Sequence, residues 1–112
     1  MKKPLAEKER FSDRVVRLAR SIPKGRVTTY GRIARAAGGG GMASQSITSI
    51  LGKAHEQGVL DIPFHRIVYA DGKIWISEQY RKKRMELYRK EKIEIDHNDR
   101  IVDFADKLFE FL

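Results

Sequence analysis

Ile62-Pro63-Phe64-His65-Arg66-Ile67-Val68 runs a proline, an aromatic ring, an imidazole and a guanidinium into two β-branched residues. Proline fixes its own φ and cannot continue a helix, so the stretch starts as loop and ends as strand. Two polar side chains beside Phe64 at the mouth of a strand fit two descriptions. One is a functional site; the other is a core phenylalanine with a satisfied core histidine. The flanking sequence decides between them.

After the strand, Ile67-Val68-Tyr69 and Ile74-Trp75-Ile76 flank Ala70-Asp71-Gly72-Lys73. Asp-Gly between β-branched and aromatic runs is a strong hairpin signal. Before it, Phe11, Val15, Leu18 and Ala19 recur at i, i+4, i+7 and i+8, which predicts an amphipathic helix over 5–21. Ile22-Pro23-Lys24-Gly25 stops it. Thr28 or Thr29 can cap a second helix reaching about Ala37, with Ile33, Ala34 and Ala37 inward. Gly38 to Gly41 lacks the Lys-Ser/Thr of a phosphate loop and the spaced glycines of a dinucleotide fold, so it is a linker.

A third helix runs from Ala43 to about His55, capped near Met42 to Ser44. Ile47, Ile50, Leu51 and Ala54 form its apolar face, and Ser44, Gln45, Thr48 and Ser49 lie largely off it. A short polar exposed face after a glycine turn suits a recognition helix as well as an ordinary solvated one. With the hairpin behind it, the pattern predicts a mostly α fold with a small β-hairpin, a winged helix-turn-helix. A basic helix follows from Gln79 to about Lys92. A last helix over Val102–Leu112 turns Val102, Ala105, Leu108, Phe109 and Leu112 to one side. The pattern divides the chain into residues 1–92, expected to be one winged-helix domain, and 93–112, an acidic helical extension expected to pack on it.

The 112 residues suffice for one modest core. There is no cysteine, which rules out disulfides, thiol nucleophiles and thiolate metal sites. His55, His65 and His97 are scattered, so no metal and no cofactor are expected. No window has the roughly 18 apolar residues of a membrane span, and the N-terminal residues lack the apolar core of an export signal. The net charge of +8 is uneven: 21 basic against 9 acidic residues over 1–92, and 2 against 6 over 93–112. A basic body suits a polyanion partner, though it also suits a merely solvated surface.

Taken together, these segments resemble the O6-alkylguanine-DNA alkyltransferases. Ile22-Pro23-Lys24-Gly25-Arg26-Val27-Thr28-Thr29-Tyr30-Gly31-Arg32-Ile33-Ala34 is similar to the opening of their DNA-binding part. Ile62 to Val68 is similar to their active-site Pro-Cys-His-Arg-Val-Val, with Phe64 at the alkyl-accepting cysteine. Leu87-Tyr88-Arg89-Lys90-Glu91 is similar to their later Leu-Leu-x-x-Glu. The likeness covers roughly residues 11–92. Without a thiol at position 64 there is nothing to displace the alkyl group, so the chain resembles the cysteine-free, alkyltransferase-like branch.

That resemblance implies a non-enzymatic protein that binds O6-alkylguanine in double-stranded DNA and marks it for nucleotide excision repair proteins. Tyr30 would rotate the lesion's phosphate. The helix around Ser44 to Ser49 would enter the minor groove, with Thr29, Tyr30, Ser44, Gln45, Ser46, Thr48 and Arg66 contacting DNA, Arg66 as either a phosphate contact or a structural one. Tyr30, Leu51, Val59, Phe64 and Ile67 would line the pocket for the flipped base. His65 and Glu91 would remain as a buried hydrogen-bonded pair. Gln45 falls where the family places an arginine finger, and Lys92 where it usually has glycine. A monomer is implied, located in the cytoplasm at the nucleoid, or in the nucleus of a eukaryote. Two other readings compete: a winged-helix transcription regulator of undamaged DNA, and a hydrolase using His65 and Glu91. Against the regulator, no Arg or Lys lies between Met42 and Gly52 to read bases.

Overall fold

Phe11, Val15, Leu18 and Ala19 do form the inner stripe of α1 (Phe11–Arg20), with Val15 and Ala19 fully buried. The computed structural model describes residues 9–40 and 42–111. Residues 5–8 of the expected first helix and Leu112 of the last lie outside them. Arg10, just before α1, is already extended.

After Pro23, the chain enters β1 (Thr28–Thr29) and then α2 (Tyr30–Ala36). Thr29 is the cap: its Oγ1 accepts the Arg32 N–H at 3.1 Å. The glycine run does more than link. Gly38, at φ +89°, donates its N–H to Arg35 O, and Gly39 donates to Ala34 O at 2.8 Å, closing α2 with a left-handed cap. A Cβ on Gly39 would lie 2.4 Å from the Ala43 Cβ, so the helices meet here only because that position is glycine. The third helix opens as a 3-10 turn (Ala43–Ser46) and becomes α3 at Ile47–Glu56, burying Ile47, Leu51 and Ala54. Packing of α1, α2 and α3 around Ile33, Ile47 and Leu51 makes the helix-turn-helix.

A second 3-10 turn (Phe64–Arg66) leads into β2 (Ile67–Val68). Its partner is β1, in parallel, with Thr28 opposite Ile67 and Thr29 opposite Val68. Strand alternation turns Ile67 into the helix-turn-helix core and Val68 into a second core with Val27, Ile74, Tyr88, Ile93 and Ile101. The expected hairpin is corrected to a turn. Tyr69 N–H donates to Lys73 O and Gly72 sits at φ +86°, but Ile74 N–H donates to Asp99 O at 2.8 Å and Lys73 bridges Arg100. Asp-Gly specifies only the reversal. Burial of Ile74 beside Ile93 and Ile101 then chooses a partner far along the chain.

The basic segment is a 3-10 turn (Glu78–Tyr80) followed by α4 (Arg81–Lys90). The expected helix over 102–112 is also corrected. Only one turn forms, α5 (Phe104–Lys107), after Asp103 at φ +56°, and Ala105 is exposed. Leu108 is extended and bridges Val27 in parallel: Val27 N–H donates to Lys107 O at 2.9 Å and Phe109 N–H to Val27 O at 2.8 Å. Val27 is fully buried, so its backbone polar groups need partners, and this edge pairing supplies both. Phe109 and Phe111 then pack on the helix-turn-helix core, and Glu110 pairs with Arg32 at 2.9 Å.

Candidate nucleic-acid interface

The turn carrying Phe64, His65 and Arg66 is held from below by Glu91 at the end of α4. Glu91 Oε2 lies 2.7 Å from His65 Nε2. Arg66 donates to the same carboxylate from Nε at 3.0 Å and Nη2 at 2.7 Å, and from Nη1 to Ile22 O at 2.9 Å. Gly25, which can take its φ of +82° as glycine, adds its N–H to Glu91 Oε1 at 3.0 Å. Tyr88 O–H donates to His65 O at 2.5 Å. The Pro-Lys-Gly turn, the Phe64 turn and α4 are thereby tied to one carboxylate.

Side chains of His65, Arg66 and Glu91 are only 10%, 14% and 7% exposed. Burial alone would raise the Glu91 pKa; the Arg66 hydrogen bonds, the Gly25 N–H and His65 outweigh it and hold the carboxyl at about 2. Burial lowers the His65 pKa, with Glu91 opposing. A neutral imidazole donating from Nε2 satisfies both. Burial also pushes the Tyr88 phenol up to about 12. The expected His65–Glu91 pair is therefore present. Of the two roles open to Arg66, its hydrogen bonds fit the structural one, because its donors are aimed at Glu91 and Ile22. Thr29 is likewise buried and spent on the α2 cap.

Above this scaffold, Phe64 turns its half-buried ring toward a cavity of about 380 Å³ between α2, α3, β2 and α4. Tyr30, Thr48, Leu51, Phe64, Ile67, Tyr69, Trp75 and Arg84 line it. Four of the five expected pocket residues are thus brought together. Val59 is not: it packs behind α3 and faces a different depression, between α1 and α3. The Tyr30 and Tyr69 ring centroids are 5.5 Å apart, and burial with Tyr69 alongside raises the Tyr30 pKa. The His55 ring meets Phe64 edge-on at 5.9 Å.

Tyr69, Trp75 and Arg84 are pocket residues that the sequence analysis missed. Two carried a usable signal. Tyr69 is two residues past Ile67, on the same strand face. Arg84 precedes Tyr88 by four and Glu91 by seven, one helical face. Trp75 had none, since its place depends on where the chain goes after the turn.

Beside the pocket mouth, the start of α3 presents the polar face expected there. Gln45, Thr48 and Ser49 are exposed and Ser44 is half-buried, while Ser46 Oγ donates to Ala43 O at 2.8 Å. Among the described residues no cluster of His, Asp and Glu could hold a metal ion, and no helix is long and apolar enough to cross a membrane.

Atl1 of S. pombe, in complex with damaged DNA containing O6-carboxymethylguanine, shares the fold with a TM-score of 0.72 at 21% identity, over 99% of this chain and 100% of that one. The ATL of S. pombe in complex with DNA gives a TM-score of 0.68 at 23% identity, over 99% and 100%. No curated protein sequence matches the chain significantly. Residues 10–93 match the family described as 6-O-methylguanine DNA methyltransferase, DNA binding domain. That match takes in α1 through α4 and both the Phe64 turn and Glu91, and the chain belongs to this family.

Proposed function

We propose that the protein binds O6-alkylguanine in duplex DNA, takes the modified base into the pocket beside Phe64, and transfers nothing. The observation that carries this reading is the pocket itself. It adjoins the polar start of α3, and by the resemblance Phe64 stands where related enzymes carry the acceptor cysteine. Supporting it, Atl1 of S. pombe, which shares the fold, is bound to DNA containing O6-carboxymethylguanine.

Each part then has a task. The start of α3 enters the minor groove, and exposed Gln45 fills the gap left in the stack. Tyr30, at the first position of α2, turns the lesion's phosphate while its ring forms a wall of the pocket. Extruding a base costs a few kcal/mol, least for a poorly paired, damaged base, so selection begins before the pocket is reached. Phe64, Leu51 and Ile67 supply apolar contact to the alkyl group. His65 and Glu91, with no thiol to activate, hold the turn that positions Phe64. The bound lesion then marks the site for nucleotide excision repair. The same surface without a pocket would suit a regulator reading undamaged sequence, but the exposed face of α3 offers no guanidinium to base edges.

Competition binding tests this. A duplex carrying one O6-methylguanine should displace labelled unmodified duplex at concentrations at least tenfold lower than unmodified competitor, and a labelled methyl group should stay on the DNA. Equal competition would overturn lesion binding. Label on the protein would overturn the absence of transfer.

A further inference from the structure

The pocket carries one full charge, and nothing in it answers that charge. Arg84 reaches the cavity from the middle of α4, with its guanidinium carbon 5.5 Å from the Trp75 ring centroid. The remaining lining is apolar or hydroxylic: Leu51, Phe64 and Ile67, with Tyr30, Tyr69 and Thr48. Nearby carboxylates are engaged elsewhere. Asp71 pairs with Arg100 at 2.9 Å, Glu78 and Asp99 pair with Arg81 at 3.3 and 3.1 Å, and Glu91 is held by Arg66 at 2.7 Å. Among the described residues, Arg84 is in no ion pair.

We propose that Arg84 makes this pocket selective for O6 adducts that end in a carboxylate. The inference rests on the lesion-binding reading and adds the charge of the adduct. A guanidinium over an indole ring is held by the ring's quadrupole, and its five N–H donors leave room for an acceptor beside the Tyr88 phenol. A carboxylate brought there exchanges water for a charge-assisted, bidentate partner. The Tyr30, Tyr69 and Thr48 hydroxyls offer further donors, and no lining carboxylate repels it. A neutral adduct of the same shape leaves the guanidinium without a counter-charge.

The test uses the intact protein and two duplexes that differ in one group. One carries O6-carboxymethylguanine and the other its neutral isostere, O6-carbamoylmethylguanine, each competed against unmodified duplex. The wild-type chain should bind the carboxylate about tenfold more tightly than the amide, the scale of one charge-assisted hydrogen bond. The preference should shrink as salt rises. Arg84→Gln should bring the acid-to-amide affinity ratio down to about one, whatever it does to the affinity for either lesion alone, and its melting temperature reports whether it is folded. The wild-type comparison needs no variant. Equal wild-type affinity for acid and amide overturns the proposal. So does a variant that loses affinity equally on both lesions and on plain duplex, since Arg84 would then be a phosphate contact. If neither lesion outcompetes unmodified DNA, lesion binding fails and this proposal with it. If both bind well but alike, charge selectivity fails alone.

Discussion

Arg84 and Glu91 lie two turns apart along one face of α4 and its end, roughly 10 Å at 1.5 Å per residue, yet their surroundings are opposite. Glu91 is closed in by a guanidinium, an imidazole and a backbone N–H. Arg84 has an indole face and a cavity. Around Glu91 every strong donor is matched, which makes that region a rigid mount for the Phe64 turn. Around Arg84 the charge has no ion-pair partner among the described residues. His65 and Glu91 are spent on each other and on the fold, while the pocket wall carries Arg84.

The largest effect should come from breaking the mount. Glu91→Ala leaves Arg66 and His65 buried without their partner and orphans the Gly25 N–H. Removing one member of a buried ion pair costs about 3–5 kcal/mol. Denaturant melts should show that loss, while Arg84→Ala, half-buried and outside any ion pair among the described residues, should cost under about 1 kcal/mol. Comparable losses would erase the contrast between the two regions.

Acid should produce the next largest effect, in the same region. The Glu91 carboxyl sits at about 2 when folded, against 4.5 unperturbed. A depressed carboxyl stabilises the fold above its unfolded pKa, and that contribution is lost as pH falls from 4.5 toward 2. The loss is up to about 3 kcal/mol at 1.36 kcal/mol per pH unit. His65 acts in the same direction. Its folded pKa is lowered, so the unfolded chain binds the extra proton first and stability begins to fall below about pH 6.5. Chemical denaturation at pH 7, 5 and 3 should show this decline, and Glu91→Gln should flatten its lower part. An unchanged slope in Glu91→Gln would place the acid sensitivity elsewhere.

Moving from mount to reader, Tyr30→Ala should weaken binding to an O6-methylguanine duplex about tenfold, and plain duplex by about twofold or less. Tyr30 forms a wall of the pocket as well as the start of α2. Its own hydroxyl is separable: Tyr30→Phe keeps the wall. Equal loss on both DNAs would make Tyr30 a phosphate contact and leave the pocket without a role for its ring.

What could be foreseen from the sequence follows the range of the signal. The helix-turn-helix was legible because its core stripe repeats within each helix: Val15 and Ala19, Ile33 and Ala34, Ile47 and Leu51. The Glu91–His65 pair was legible only through the resemblance, since nothing local links residues 26 apart. In the sequence Arg66 stays open between structural and phosphate contact for the same reason: exposed and buried arginines look alike until their acceptors are placed. The hairpin failed because Asp71-Gly72 encodes a reversal and not a partner. The final helix failed because Leu108 and Phe109 alternate well enough to serve an edge, and the buried Val27 backbone had a stronger claim on them. Trp75, held in the pocket wall beside Arg84, was beyond reach for the same reason as the hairpin.

The smallest expected effect sharpens the comparison most, because it should change the mount and leave the reader alone. Lys92 follows Glu91 and sits at φ +62°, where it closes α4: its N–H donates to Arg89 O at 3.0 Å and Ile93 N–H to Tyr88 O at 2.9 Å. A left-handed conformation costs a non-glycine residue roughly 1–2 kcal/mol, and glycine avoids that cost while losing some of the gain to its freer unfolded chain. Lys92→Gly should therefore stabilise the protein by about 0.5–1 kcal/mol, a rise in melting temperature of roughly 4 °C for a chain of this size. The opposing contribution is the ammonium group at the C-terminal end of α4, favourable to the helix dipole by about 0.3–1 kcal/mol at low salt. High salt screens that contribution and leaves the backbone one, so the gain should grow between 0.05 and 0.5 M salt, concentrations chosen to span roughly 14 to 4 Å of Debye length. Lesion affinity and the acid-over-amide preference should stay within about twofold of wild type. A more stable Lys92→Gly protein that also lost the preference would mean that strain at the end of α4 reaches Arg84, and that mount and reader are one unit.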